Sequence, residues 1–276
     1  MRPLLLVLAV LVAACGADGS GSETIPAVTD SGVLEVGIGD SVRYGDSPQQ
    51  VGSLRLPIDA GEGPFPVIAF IHGGFWRNTY DSSLSEPQAA DARSKGYATW
   101  NFEYRRVGDE GGGYPGTLDD IATAIDALAR IDAPLDLDRV VVVGHSAGGH
   151  LALWVGQRDD PVVVPRLVVG QAPVADLAGS LDLGRGAVEG FMGGTPEQIP
   201  AAYDEADPAR RLPVKVPQLI VHGLRDDDVP FEVVAPYIDK AGDSVDALIF
   251  EDEGHFDVID PASPSWEATL AYLAGI

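Results

Sequence analysis

Cysteine is nearly absent: one residue in 276, Cys15. No intrachain disulfide can form, and a Cys₄ zinc site or an iron–sulfur cluster is excluded. Basic residues are scarce too. Lys and Arg number 18 against 42 Asp and Glu, a formal charge of −24. A surface this acidic repels phosphate backbones, which argues against nucleic acid as a partner. Charged residues are only 22% of the chain and hydrophobic ones 45%, so it is neither disordered nor fibrous. The 33 glycines and 21 prolines suit turns and loops more than a helical bundle. The length fits one α/β unit.

Residues 4–14 (LLLVLAVLVAA) follow Arg2 as an unbroken apolar run of 11 residues. A membrane span needs roughly 20. A charged start, a short apolar core and then small residues make a secretory signal. The core ends at Val12-Ala13-Ala14-Cys15. That pattern resembles the lipobox of bacterial lipoproteins, in which the cysteine is lipidated and becomes the first residue. Residues 1–14 are therefore read as a lipoprotein signal and 15–32, rich in Gly and Ser, as a flexible tether. The folded domain is expected over 33–276. The resemblance implies an exported protein, held at the cell membrane or cell surface by that lipid alone.

Beyond the tether, strand-like and helix-like segments alternate. Ser53 to Leu56 alternates polar and apolar, as an antiparallel strand does. Phe65–Ile71, Tyr97–Tyr104, Arg139–Val143, Leu167–Gly170, Gln218–Val221 and Ala247–Phe250 read as buried strands. Thr117 to Ile131 carries apolar residues at a 3.6-residue period, with Thr117 as the expected cap. Leu151–Val155 and Trp266–Leu273 read as helices. This alternation predicts a mostly parallel sheet covered by helices on both faces, an α/β fold. Residues 181–212 break the rhythm with five glycines over 184–194, and a small cap or lid inserted over the sheet is expected there.

Gly144-His145-Ser146-Ala147-Gly148 fits G-x-S-x-G between a strand and a helix. Such a serine sits on a sharp turn, and glycines two residues to either side let the chain pack against it. The N–H of Ala147 then lies at a helix start, where backbone donors and the dipole stabilise an oxyanion. A serine hydroxyl needs a base. Of five histidines, His145 adjoins Ser146 and is expected to point away, His150 lies on the helix, and His72 and His222 end strands. His255 alone falls in a loop after the last strand, so elimination selects it. Asp226, Asp227 and Asp228 follow the strand ending at His222, and spacing leaves all three open as the acid, with Asp252 a weaker candidate. The order Ser, Asp, His suits a hydrolase. His72-Gly73-Gly74-Phe75-Trp76 follows a buried strand, and Gly74 or Phe75 is the expected second oxyanion donor. Phe75, Trp76, Phe191 and Trp100 are candidates to line an acyl or aryl pocket, with His72 beside them, although core packing is the commoner fate of such residues.

Taken together these motifs resemble the esterase/lipase branch of the α/β-hydrolase superfamily. HGGFW resembles the HGGxW of kynurenine formamidase-like enzymes and, less closely, the HGGG of hormone-sensitive-lipase-like esterases. Asn101 to Arg106 resembles an NxEYRR strand end, and 191–211 resembles the GGTPE-containing segment before the acid strand of bacterial members. His222 to Pro230 resembles the H-G-x-x-D-x-x-V-P loop, whose aspartate four residues after the histidine is the acid; the resemblance therefore selects Asp226. It implies a triad of Ser146, Asp226 and His255 cleaving small acyl esters through an acyl-enzyme, with no metal or cofactor. Two alternatives stand beside this reading. One is arylformamidase, amide or small-peptide hydrolysis; the other is a catalytically silent binding lipoprotein.

The lipobox reading makes one prediction. Cys15→Ser should move the protein from the membrane fraction to the soluble fraction of its host; a variant that stays membrane-bound contradicts lipidation at Cys15.

Overall fold

The apolar run at 65–71 separates by parity. Val67, Ala69 and Ile71 join one hydrophobic cluster and Ile68 and Phe70 the other. Val140 and Val142 divide in the same way from Val141 and Val143, as does Val168 from Leu167 and Val169. Side chains of a strand alternate between faces, so a strand apolar on both must be covered on both. The covering layers are helices, and each fully buried aliphatic contributes roughly 1.5–3 kcal/mol to holding them there.

The computed structural model describes residues 32–36, 40–58 and 61–276. The signal read at 1–14, Cys15 and all of the tether but Gly32 lie outside the described residues. In chain order the elements are β1 (Ser41–Arg43), β2 (Val51–Arg55), β3 (Phe65–Ile71), α1 (Glu86–Ser94), β4 (Ala98–Phe102), α2 (Gly116–Ala127), β5 (Leu135–His145), α3 (Ala147–Val155), β6 (Leu167–Gln171), α4 (Ala187–Met192), α5 (Pro200–Ala206), β7 (Gln218–Gly223), α6 (Phe231–Ala241), β8 (Val245–Phe250) and α7 (Pro264–Leu273). Among the described residues eight strands form one sheet in the order β1-β2-β4-β3-β5-β6-β7-β8. β2 runs antiparallel to β1 and β4, and every other pair is parallel. Residues of α1 and α7 pack with one cluster, and those of α2, α3 and α6 with the other. Among the described residues no helix is long and apolar enough to cross a membrane.

Some boundaries differ from the sequence reading, for local reasons. The expected cap, Thr117, lies inside the first turn of α2. Its hydroxyl accepts the Gly113 N–H at 3.0 Å and donates to the Arg105 carbonyl at 2.5 Å, so it fastens the incoming loop instead. α2 stops at Ala127, and Ile131 pairs with Leu34 beyond it. The pattern of the sequence leaves α1 and α6 unassigned. α1 buries only Gln88, Ala89 and Ala92, too thin a stripe to read, and α6 carries Pro236 in its interior. Residues 178–210 contain no strand. Short helical turns with α4 and α5 lie against the ends of β3 and α3, through the Arg77 guanidinium on the Gly184 carbonyl (3.0 Å) and the His150 ring on the Ala206 carbonyl (2.9 Å).

Trp100 of β4 is fully buried, stacks on Phe102 and donates its indole N–H to the Ala124 carbonyl of α2 at 2.9 Å. Trp100→Ala should cost about 3–5 kcal/mol in urea unfolding. A loss under about 1 kcal/mol would contradict this packing of α2 on the sheet.

Candidate active site

Ser146 occupies the single residue between β5 and α3, with φ 56° and ψ −119°. A non-glycine residue there costs about 1–3 kcal/mol and persists only where its surroundings over-determine it. They do. Its N–H donates to the Gln171 carbonyl at 2.8 Å, and its own carbonyl accepts the N–H groups of His150 and Val174. The flanking glycines make the turn sterically possible. A Cβ on Gly144 would sit 2.1 Å from the Gly148 carbonyl oxygen, and one on Gly148 would sit 2.1 Å from that of Ile71. Ala147 opens α3, where N–H groups lack intrahelical acceptors.

Asp226 lies in the turn after β7. Its Oδ1 accepts the N–H groups of Asp228 (2.9 Å) and Val229 (2.7 Å), and its Oδ2 accepts Nδ1–H of His255 at 2.7 Å. Burial alone would raise the Asp226 pKa. The bond to His255 and the backbone donor outweigh burial and hold the carboxyl below its ordinary range, so it is ionised at neutral pH. With its proton on Nδ1, His255 keeps Nε2 free to accept. Asp227 and Asp228 are exposed, and Asp252 pairs with Arg225. Of the four carboxylates left open by spacing, Asp226 is the one that meets the ring.

His145 does point away from the turn, and it has a contact that sequence does not reveal. Its Nε2–H donates to the His255 carbonyl at 2.8 Å, and the two rings lie 4.6 Å apart. Burial first, and the neighbouring His255 second, pull its pKa down to about 3, so it is neutral. The residue before Ser146 thus touches the residue bound to Asp226, and the three sequence-distant positions share one locus.

The His72–Trp76 loop borders the same place: a Cβ on Gly73 would lie 3.2 Å from Ser146 Cβ. Gly74, Phe75 and Trp76 all have positive φ, at 113°, 57° and 54°. The segment after β4 holds this loop. Tyr104 stacks on His72 and donates its hydroxyl to the His72 carbonyl at 2.8 Å. Val107 N–H donates to the Trp76 carbonyl at 2.8 Å. Glu103 pairs with Arg106 at 2.8 Å, lies 3.5 Å from His72 Nε2 and accepts the Ser82 N–H at 2.6 Å, and Arg106 also donates to the Tyr80 carbonyl. Sequence reading marks 101–106 as a motif but assigns Glu103, Tyr104 and Arg106 no role; the signal was a run of polar residues directly after a buried strand.

The structure buries the expected substrate contacts His72, Trp76 and Phe191, each at most 1% exposed. Trp76 stacks on Phe191 at 4.9 Å and donates Nε1–H to His150 Nδ1 at 3.2 Å. Their faces are occupied by each other, so they fasten the 187–206 helices to the loop. A cleft of about 480 Å³ lies beside this loop, lined by Phe75, Arg77, residues 182–185, Asp227 and Asp228, with neither Ser146 nor His255 in its wall. Among the described residues no group of three or more His, Cys, Asp or Glu is arranged to hold a metal ion.

Comparison with known proteins fits this geometry. A family model described as BD-FAE matches residues 55–235. Esterase LipC of Mycobacterium tuberculosis is 27% identical over 271 residues, covering 84% of this chain and 64% of LipC. The chain thus spans under two thirds of LipC, and less of the other curated proteins it matches. Esterase B from Lactobacillus rhamnosis superposes with a TM-score of 0.71 at 23% identity, over 86% of this chain and 85% of that one. A truncated carbohydrate esterase from gut microbiota gives 0.73 at 17% identity, over 86% and 94%. At these identities the two structures establish the α/β-hydrolase fold.

The loop support carries a pH signature. Burial would raise the Glu103 pKa, but His72, the Ser82 N–H and Arg106 together lower it from 4.5 to about 2. A depressed carboxylate stabilises the fold fully above its unfolded pKa and loses that contribution as pH falls to the folded value. The stability difference between wild type and Glu103→Gln should therefore be constant above about pH 5 and shrink between about 4.5 and 2 in urea titrations. A difference unchanged down to pH 2 contradicts the ion-pair account.

Proposed function

The chain belongs to the BD-FAE family, and from that premise we propose that it is a serine esterase acting on small acyl esters. The observation that carries this reading is the 2.7 Å bond between His255 and an ionised Asp226, next to a serine held at φ 56°. Ser146 Oγ attacks the acyl carbonyl while His255 Nε2 takes its proton. Asp226 keeps the other ring proton in place and stabilises the imidazolium as it forms. The oxyanion develops against the N–H groups of Ala147 and of Gly74 or Phe75. His255 then returns the proton to the departing alkoxide, leaving an acyl group on Ser146. Water, deprotonated by the same His255, attacks the acyl group, and the acid leaves as Ser146 is restored. The esterase names of LipC and esterase B support an ester over an amide. The alcohol or acyl portion of the substrate is assigned to the cleft beside Phe75 and residues 182–185, with the helical segment 181–212 as its cap. With Cys15 lipidated, this hydrolase would work at a membrane surface.

Ser146→Ala should lower kcat on p-nitrophenyl butyrate by about 10⁶. Asp226→Asn should lower it by about 10⁴, and Asp227→Asn and Asp228→Asn should change it little. Turnover retained by Ser146→Ala contradicts the mechanism, and equal damage from Asp228→Asn contradicts the choice of acid.

A further inference from the structure

We propose that His145 is a positioning residue for the base, joining the nucleophile turn to the base loop by a hydrogen bond that does not involve the reacting atoms. This rests on the triad reading above and adds a fourth residue to it.

Three observations carry it. First, His145 Nε2–H reaches the His255 carbonyl at 2.8 Å, and among the described residues this is the only hydrogen bond made by the His255 main chain. The rest of that loop is secured around the base and not at it. The Glu253 carbonyl accepts the Arg225 N–H, its carboxylate accepts the Ser265 N–H, and the Gly254 N–H donates to Asp257. The Asp226 bond holds one edge of the ring through Nδ1, but a single bond to a ring leaves the backbone beneath it free to shift. Second, the His145 ring packs 4.6 Å from the His255 ring and 5.7 Å from that of Phe256, so it limits both position and tilt. Third, His145 is covalently next to Ser146 and sits at the end of β5, with its N–H donor on a short two-torsion side chain. Ser146 and His255 are therefore held in common by one rigid ring.

The ring's protonation suits the task. His145 is 5% exposed, and among the described residues its Nδ1 has no hydrogen-bond partner. Its one proton is therefore on Nε2, where the His255 carbonyl needs it. Being neutral, it adds no positive charge beside a base that must become imidazolium during turnover. A 1 Å displacement of a reacting group can cost 10²-fold in rate.

The test compares two substitutions on p-nitrophenyl butyrate, with thermal unfolding alongside. His145→Leu keeps much of the volume and removes the donor; His145→Gln keeps a donor at similar reach. We expect His145→Leu to lower kcat about 10- to 100-fold at nearly unchanged KM, and His145→Gln to restore most of the loss at equal Tm. A Leu variant with wild-type kcat overturns the inference, as does a Gln variant no better than Leu. If the wild type itself turns over nothing, the esterase reading has failed instead. Nitrogen-15 NMR of the wild-type ring supplies a check that needs no variant. A His145 proton on Nε2 that stays in place from pH 8 to 5 supports the bond, and one on Nδ1 overturns it.

Discussion

A serine backbone at φ 56° is a conformation that an L-residue leaves unless its surroundings forbid it, and much of the molecule is arranged around that constraint. β5 must end and α3 begin within one residue. The first turn of α3 must press against the ends of β5 and β3 so closely that neither Gly144 nor Gly148 has room for a methyl group. Such close approach demands a sheet and a helix already rigid on their own account. The alternating apolar faces of β3, β5 and β6 provide that rigidity, and the layers of helices protect it from water. Local strain at Ser146 is thus sustained by packing distributed over the whole domain.

Around the strained turn, histidines act in neutral or paired forms fixed by burial. His145 and His150 are both held well below the ordinary histidine range by burial. Each therefore has one donor and one acceptor nitrogen, and each N–H has a carbonyl: that of His255 for one and that of Ala206 for the other. His255 differs in having a carboxylate on Nδ1. In the proposed mechanism that carboxylate stabilises the ring as it becomes charged, whereas His145 and His150 donate to neutral carbonyls.

The fold was legible in the sequence wherever burial was two-sided, since strands with both faces covered leave continuous apolar runs that no loop imitates. The G-x-S-x-G turn was legible because its glycines record close backbone contact directly. His255 was reached by counting, as four other histidines stood in elements. Spacing left Asp226, Asp227 and Asp228 open, because identical side chains carry no mark of which one folds back over its own loop; the loop resemblance selected Asp226, and the structure brings Asp226 together with His255. The pairing of His145 with the His255 carbonyl spans 110 residues and leaves no periodic trace. α1 and α6 were silent because one buries few apolar residues and the other contains a proline. Trp76 and Phe191 look the same in sequence whether they face a ligand or each other.

The central claim is that Ser146 is a nucleophile served by a base within reach. Covalent labelling of the folded protein with a fluorophosphonate, mapped by peptide mass spectrometry, tests it most directly. A single adduct on the peptide carrying Ser146, absent from Ser146→Ala, is the predicted result. A folded protein that takes no adduct, or takes it at another residue, would contradict the claim.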